Sequence, residues 1–426
     1  MAPMRSFRIV MFTTFYPPYN FGGDGIGVQR LARSLARRGH DVTVVHPEDA
    51  YLLLGGSPPG AAEAADGVRR IGFRSRIGLL PNLLTQQTGR PILRAGEIRA
   101  ILADRRPDIV WYNNVSLVGG PGLFDYGDAL KVYEAHEHWL VCPTHVLWRY
   151  GRELCDARDC LRCQISYRRP PQIWRMTGYL DRQLDKVDVI VAKSEFSRRK
   201  HAEFGLRQPM EVVPYYLPDL DPSAIVPFRG HPRPYFLFVG RLEKIKGLQD
   251  VLPAFERCPD ADLLIVGDGD YAGELKQLAA GNPCVHFLGR KSPDDLAAYY
   301  RGALGLLVPS VCYETFGIVL IESFRIGTPV VARRLGPFPE IVEAADAGAL
   351  FATADELAAA LRRFRSDPSE RMRMGAAARA AFERHWREDR VLARYADLLA
   401  RAAHRRGDGA LARMLDAGVF ETGAPG

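Results

Sequence analysis

The residues in this chain best placed to do chemistry begin with two acids, Glu314 and Glu322, separated by seven residues in the run Glu314-Thr315-Phe316-Gly317-Ile318-Val319-Leu320-Ile321-Glu322. Glu322 falls among apolar positions of a helical pattern, where a carboxylate needs hydrogen-bond partners that ligand hydroxyls would supply. A capping acid followed by an ordinary buried ion pair is the plainer alternative. A second group is Gly240-Arg241-Leu242-Glu243-Lys244-Ile245-Lys246-Gly247, which holds two of only eight lysines. Arg241 offers a planar fork and Lys246 a point charge, a pairing suited to a diphosphate; a solvated turn would look the same. A third is Gly22-Gly23-Asp24-Gly25-Ile26-Gly27, just ahead of a helical pattern. Free backbone amides at a helix start can take a phosphate or a sugar oxygen, though a tight turn without a ligand needs the same glycines. His136 and His138 stand two apart at a strand end. A lone histidine is more often structural, but this pair takes the functional reading.

Four of the seven cysteines lie within residues 142–163. Cys155, Cys160 and Cys163 have the spacing of a metal knuckle, and Cys142 precedes them by thirteen positions. In a chain read as cytoplasmic, such a cluster indicates metal before disulfide. A structural zinc is expected, with an iron–sulfur cluster and a chance group of buried thiols as alternatives. Cys258, Cys284 and Cys312 are expected to be ordinary buried residues.

These groups need elements to hold them. Continuous apolar runs, the mark of buried parallel strands, occur at 7–14, 41–46, 68–73, 108–112, 131–134 and 187–192. A more regular series follows at 235–239, 262–266, 284–288, 305–308 and 329–332, each run leading into a helical pattern. Between the series, a proline-rich stretch at 212–234 reads as a linker. From about Asp367 onward the chain is rich in Ala and Arg and strongly helical in propensity. The pattern predicts an α/β protein of two Rossmann-like, doubly wound domains facing a central cleft. The expected divisions are 1–218, with a cysteine-rich insertion at about 137–175, then 219–384, then a helix over 385–426 that crosses back to the first domain.

Composition narrows the class further. With 426 residues, 47% hydrophobic and 25% charged, the chain is too long and too apolar for a disordered or collagen-like protein. No apolar run reaches the length of a membrane span, and the short apolar stretch near the N-terminus reads as a first strand rather than a leader. A cytoplasmic protein is expected. The net charge of +7 comes from basic residues scattered among acids. It fits anionic small molecules or peripheral contact with a membrane, and it implies no nucleic-acid stripe.

Taken together, GRLEKIKG, ETFGIVLIE, the GTPVVA that follows and the N-terminal GGDGIG resemble the family 4 retaining glycosyltransferases of the GT-B fold, in that family's order and over nearly the whole chain. The resemblance implies a nucleotide-sugar donor (UDP-, GDP- or dTDP-linked) and a small-molecule or saccharide acceptor, with no catalytic metal. It implies that Arg241 and Lys246 stabilise the donor diphosphate and that Glu314 contacts the transferred sugar. His136, in VYEAHEHW, matches the family's strand-ending histidine and would sit beside that sugar. Glu322 would take the ribose hydroxyls. Gly22, Gly23, Gly240, Gly267, Gly289, Arg290, Thr315, Phe316, Gly317 and Ile318 would complete the donor site. The first domain would hold the acceptor and the second the donor. One departure stands out: Val213-Pro214-Tyr215-Tyr216-Leu217-Pro218-Asp219 lacks the Pro-Asn-Gly stretch common in relatives. Asp268-Gly269-Asp270 matches the metal-binding Asp-x-Asp of the other major glycosyltransferase fold, but it lies in the wrong domain type for that role. An epimerase or hydrolase on the same fold and a non-catalytic, metal-stapled nucleotide-sugar binder are the rivals.

Overall fold

The computed structural model describes residues 6–56, 66–256 and 260–422. Cys258 and residues 57–65 of the expected acceptor stretch lie outside them. The chain forms two compact units, 1–213 together with 392–426, and 214–391.

The first unit is built on a seven-stranded sheet. Its strands are β1 (Arg8–Phe12), β2 (Asp41–Pro47), β3 (Arg69–Phe73), β4 (Ile109–Tyr112), β5 (Leu130–Ala135), β8 (Val189–Ala192) and β9 (Glu211–Val212). They are arranged β3-β2-β1-β4-β5-β8-β9, with every pair parallel. A separate antiparallel hairpin, β6 (Trp148–Arg149) and β7 (Glu153–Leu154), lies in the cysteine-rich segment. The second unit has six strands: β10 (Tyr235–Val239), β11 (Asp262–Val266), β12 (Val285–Gly289), β13 (Leu306–Val308), β14 (Val330–Arg333) and β15 (Gly348–Phe351). Their order is β12-β11-β10-β13-β14-β15, again parallel throughout. This is the doubly wound order, whose direction reverses beside the first strand.

The apolar runs become strands because both faces of each sheet are covered. On β10, Tyr235 and Leu237 enter one core, while Phe236 and Phe238 enter the other. A strand buried on both sides has no need of alternating polar residues. The strands missed from sequence, β6, β7, β9 and β15, are two to four residues long and carry too short a pattern to read.

Three expectations change. The proline-rich stretch is not a free linker, because Tyr215 and Leu217 are buried in the second unit's core and Leu220, Ile225 and Phe228 pack against it. The units therefore divide at 213/214 rather than 218/219. At the other end, the Leu217 amide donates to the Trp386 carbonyl at 3.0 Å, and the Trp386 ring lies 5.6 Å from that of Phe324. Residues 385–391 thus stay with the second unit, and the helix Glu388–Arg406 spans the division. Finally, the helix after β1 starts at Gly23 and runs to Arg37, so the glycine run forms its first turns rather than a loop before it. At Gly25 a Cβ would lie 2.3 Å from Asn20 Oδ1 and 3.0 Å from the Phe15 carbonyl, so the backbone of this turn packs too closely for a side chain. No helix among the described residues is long and apolar enough to cross a membrane.

Candidate functional site

In the second unit the sheet reverses between β10 and β13, and the segments following these two strands carry the charged residues. Lys246 ends a single turn of 3₁₀ helix, Lys244–Lys246. The next residue, Gly247, has φ +73° and approaches so closely that a Cβ would lie 2.1 Å from the Pro309 carbonyl. Only glycine permits this contact, which locks the β10 segment onto the β13 segment. The Val311 amide adds a bond to the Ile245 carbonyl at 2.9 Å. As a result, Lys246 Nζ donates to Glu314 Oε1 at 2.6 Å, and Ser310 Oγ donates to the same oxygen at 3.1 Å. Among the described residues no hydrogen bond reaches Glu314 Oε2.

The electrostatics follow from that contact. Burial works to raise the Glu314 carboxyl, but Lys246 and Ser310 outweigh it and hold it below its usual value. Burial works to lower the Lys246 ammonium, but Glu314, Cys312 and Glu243 outweigh it and raise it. The pair stays fully charged at neutral pH. Arg241 is half exposed and pairs with Glu243 at 2.9 Å.

Gly240, Gly267 and Gly289 lie side by side at the carboxyl ends of neighbouring strands. The Gly240 amide donates to the Val266 carbonyl at 3.1 Å, and the Gly267 amide to the Gly289 carbonyl at 2.9 Å. Arg290 is exposed directly after them, and Thr315 is partly exposed. Gly317 caps the helix Ile318–Ile326. The Phe316 ring is buried, 5.6 Å from Tyr215, which leaves only its backbone for a ligand. Glu322 is not waiting for a partner, since the buried Tyr300 hydroxyl donates to its Oε2 at 2.9 Å. Tyr300 was missed from sequence because nothing in its own helix marks it as a partner for a glutamate 22 positions on.

Asp268 and Asp270 are exposed, and Asp268 Oδ1 is taken by the Gly269 amide at 2.9 Å. Among the described residues, the one trio of possible metal-ligand atoms within 4.8 Å of one another is His231, Asp262 and His286. It stands at the start of β11, the end opposite the Gly267 corner. Arg233 already pairs with Asp262 at 3.0 Å.

In the first unit, His136 directly follows β5 and is buried, with Nε2 2.9 Å from Asn113 Oδ1. Since Oδ1 accepts, the neutral ring carries its proton on Nε2. Burial lowers the ring's pKa to about 4 against the pull of Glu134, so His136 is an uncharged donor at neutral pH. A charged network unforeseen from sequence supports it. Glu134 is buried, pairs with Lys193 and accepts from the Trp111 indole at 2.7 Å. The Tyr395 hydroxyl donates to Glu134 at 2.9 Å and accepts from Lys193 at 2.9 Å. Burial works to raise the Glu134 carboxyl, but Lys193, His136 and Trp111 hold it at about 2.

Gly22 and Gly23 begin the helix that bears Asp24. Burial, then the Glu137 carboxylate, raise Asp24 to about 6. Glu137 Oε2 in turn bonds His145 Nδ1. This helix start therefore carries acidic neighbours, which weaken its attraction for an anion. Cys142, Cys155 and Cys163 are buried and Cys160 partly so, and all four line one small cavity. His136 does not line it. Cys284 and Cys312 are buried, as expected.

Two family models match this chain: Glycosyltransferase Family 4 over residues 21–215 and Glycosyl transferases group 1 over residues 226–381. Glycogen synthase of Mycobacterium tuberculosis is 29% identical over 87% of this chain and 89% of its own length. A GDP-mannose-dependent α-(1-6)-phosphatidylinositol monomannoside mannosyltransferase of the same species is 26% identical over 92% and 98%. Among solved structures, sucrose-phosphate synthase from Thermosynechococcus elongatus superposes with a TM-score of 0.69, 20% identity, and coverage of 96% of this chain and all of that one. Anabaena Alr3699/HepE in complex with UDP and glucose gives 0.65 and 18%, with coverage of 93% and 100%. Two doubly wound parallel units with these likenesses define a GT-B fold. The chain belongs to the group 1, family 4 glycosyltransferases, and its activity is glycosyl transfer.

Proposed function

We propose that this enzyme moves a hexose, with retention of anomeric configuration, from a UDP-, GDP- or dTDP-sugar to a small-molecule or saccharide acceptor. The carrying observation is the bonded cluster Lys246–Glu314–Ser310 at the sheet reversal of the second unit, with Arg241 close by in sequence. In this reading the second unit binds the donor. Arg241 and Lys246 face the diphosphate and stabilise the charge that grows as the glycosidic bond breaks. Glu314, polarised by Lys246, accepts from sugar hydroxyls through Oε2, assisted by backbone near Thr315, Phe316 and Ile318. Glu322, oriented by Tyr300, takes the ribose hydroxyls. Gly240, Gly267, Gly289 and Arg290 line the nucleotide.

The first unit binds the acceptor. Gly22 and Gly23, at the start of its first helix, bring backbone to the donor phosphates, and His136 contributes a neutral imidazole N–H to catalysis. No divalent ion takes part in transfer, and any metal on the protein belongs to the cysteine cluster. We place the enzyme in the cytoplasm, with peripheral membrane contact if its acceptor is a lipid. The likeness to a structure holding UDP and glucose supports a nucleotide-sugar donor, although that ligand is the neighbour's own.

A thermal-shift screen against UDP-, GDP- and dTDP-sugars tests the donor class, because a bound ligand raises apparent stability by mass action. Proton NMR of the product then reads the anomeric configuration, and inversion overturns the retaining assignment. Full donor turnover without acceptor would replace transferase with hydrolase or epimerase.

A further inference from the structure

We infer that Cys142, Cys155, Cys160 and Cys163 bind one zinc ion, and that this ion fixes the turn bearing Glu137 and His145. The four cysteines come from three separate pieces of chain. Cys142 closes a turn in which the His138 carbonyl accepts from Val141 and Cys142 at 3.0 and 2.7 Å. Cys155 follows the hairpin β6–β7. Cys160 and Cys163 lie three apart on the helix Cys160–Ser166, and so share one face of it. All four border the same cavity of about 20 Å³. That space holds a single ion or water. Four thiolates in tetrahedral array are a donor set that selects zinc.

Three further observations agree. The Tyr150 amide donates to Cys163 Sγ at 3.4 Å, which orients that sulfur. Zinc with four thiolates carries two net negative charges, and Arg149, Arg158 and Arg175 lie within electrostatic reach of these cysteines. The backbone is also strained: Leu147 and Tyr150 sit at φ +47° and +56°, unusual for bulky residues. Such strain persists only where the surroundings over-determine it. A hairpin of two-residue strands does not do so unaided. Among the described residues no three of these cysteines bring their sulfurs within 4.8 Å of one another, so binding the ion requires them to move inward.

The consequence for the enzyme follows from the local bonds. The His138 amide donates to the His145 carbonyl at 3.0 Å, and the His145 amide to the Cys142 carbonyl at 3.0 Å, while His145 holds Glu137. Zinc at Cys142 therefore fixes the side chains that follow His136. This part rests on the glycosyl-transfer reading above; the metal itself does not.

Full-length protein purified without a histidine tag is expected to contain about one zinc per chain. Cys160→Ser should lose it, while Cys284→Ser and His286→Ala should keep it. In case Cys160→Ser fails to fold, the intact protein reloaded with cobalt should show the intense visible bands of tetrahedral cobalt thiolate. A metal-free protein with four freely titrating thiols overturns the inference, as does iron with acid-labile sulfide or loss of zinc on His286→Ala. For the positioning role, folded Cys160→Ser should raise the acceptor KM several-fold while the thermal shift given by the donor nucleotide is unchanged. An unaltered acceptor KM overturns that role. If no nucleotide sugar supports transfer, the glycosyl-transfer reading fails while the zinc result still stands.

Discussion

Lys246 and Glu314 hold each other charged, and the sign of each shift sets where that charge matters. The Glu314 carboxyl is lowered, so its contribution to stability is present above its unfolded pKa and is lost as pH falls through the folded value. The Lys246 ammonium is raised, so its contribution is present below its unfolded pKa and is lost only as pH rises through the folded value. Between those limits the charge on Lys246 is constant. Arg241→Ala and Lys246→Ala are each expected to lower kcat/KM by roughly 10²-fold, because a charge opposite growing diphosphate charge acts mainly in the transition state. Steady-state kinetics check this, and normal turnover in both variants would remove the donor assignment. Glu322→Ala should instead raise the donor KM more than it lowers kcat, since ribose contacts change little during reaction. Asp24 behaves oppositely to Glu314. With its carboxyl raised to about 6, the folded state binds this proton more tightly than the unfolded one, so its ionisation costs stability as pH rises from about 4 to 6. Asp24→Asn should therefore gain Tm relative to the wild type at pH 8 and show little gain at pH 4, as read by calorimetry.

Among the elements, the fastening of β5, β8 and the helix Glu388–Arg406 matters most for the first unit. Glu134 on β5, Lys193 just after β8 and Tyr395 on that helix share one buried set of bonds. Trp111 on β4 adds its indole N–H and packs edge-on against Tyr395 at 5.1 Å. Breaking one side of a buried pair leaves an uncompensated charge, at a cost of about 3–5 kcal/mol, whereas replacing both partners with groups of similar shape costs much less. Lys193→Met should thus be more destabilising in urea than the double variant Lys193→Met with Glu134→Gln. Equal losses would mean that the pair does not act as a unit. The double variant also bears on His136, whose ring lies 3.8 Å from Glu134. Without that carboxylate, nothing offsets burial and the ring stays neutral to still lower pH.

At the scale of the whole molecule, the chain has two parallel sheets in two compact units, and among the described residues no cluster of acids at the candidate donor site resembles a metal cage. Asp268 is engaged by its own loop. Brief treatment with EDTA should leave the transfer rate unchanged, and recovery of a lost rate with Mn²⁺ or Mg²⁺ would restore the Asp268/Asp270 metal reading. Longer treatment with a stronger chelator addresses the cysteine site instead, and should lower Tm with only a slow fall in rate.

Much of this was legible in the residues. Runs such as Tyr235–Val239 and Asp262–Val266 matched strand bounds to the residue, because a strand buried on both faces shows its pattern within five positions. The order of the glycine, lysine and glutamate motifs was enough to imply the family. The partners of those motifs were another matter. Tyr300 reaches Glu322 across 22 residues, Lys193 reaches Glu134 across 59, and Tyr395 reaches Glu134 across 261. The burial of Tyr215 and Leu217, which turned an apparent linker into a strap on the second core, likewise depends on residues a hundred positions away. Periodicity and turn chemistry act between neighbours in the chain, so the sequence by itself determined the elements and the kinds of group they carry. Which carboxylate is paired, which histidine is neutral and which proline-rich segment is packed depend on desolvation and on charges brought in from distant strands. Only the tertiary structure decided those.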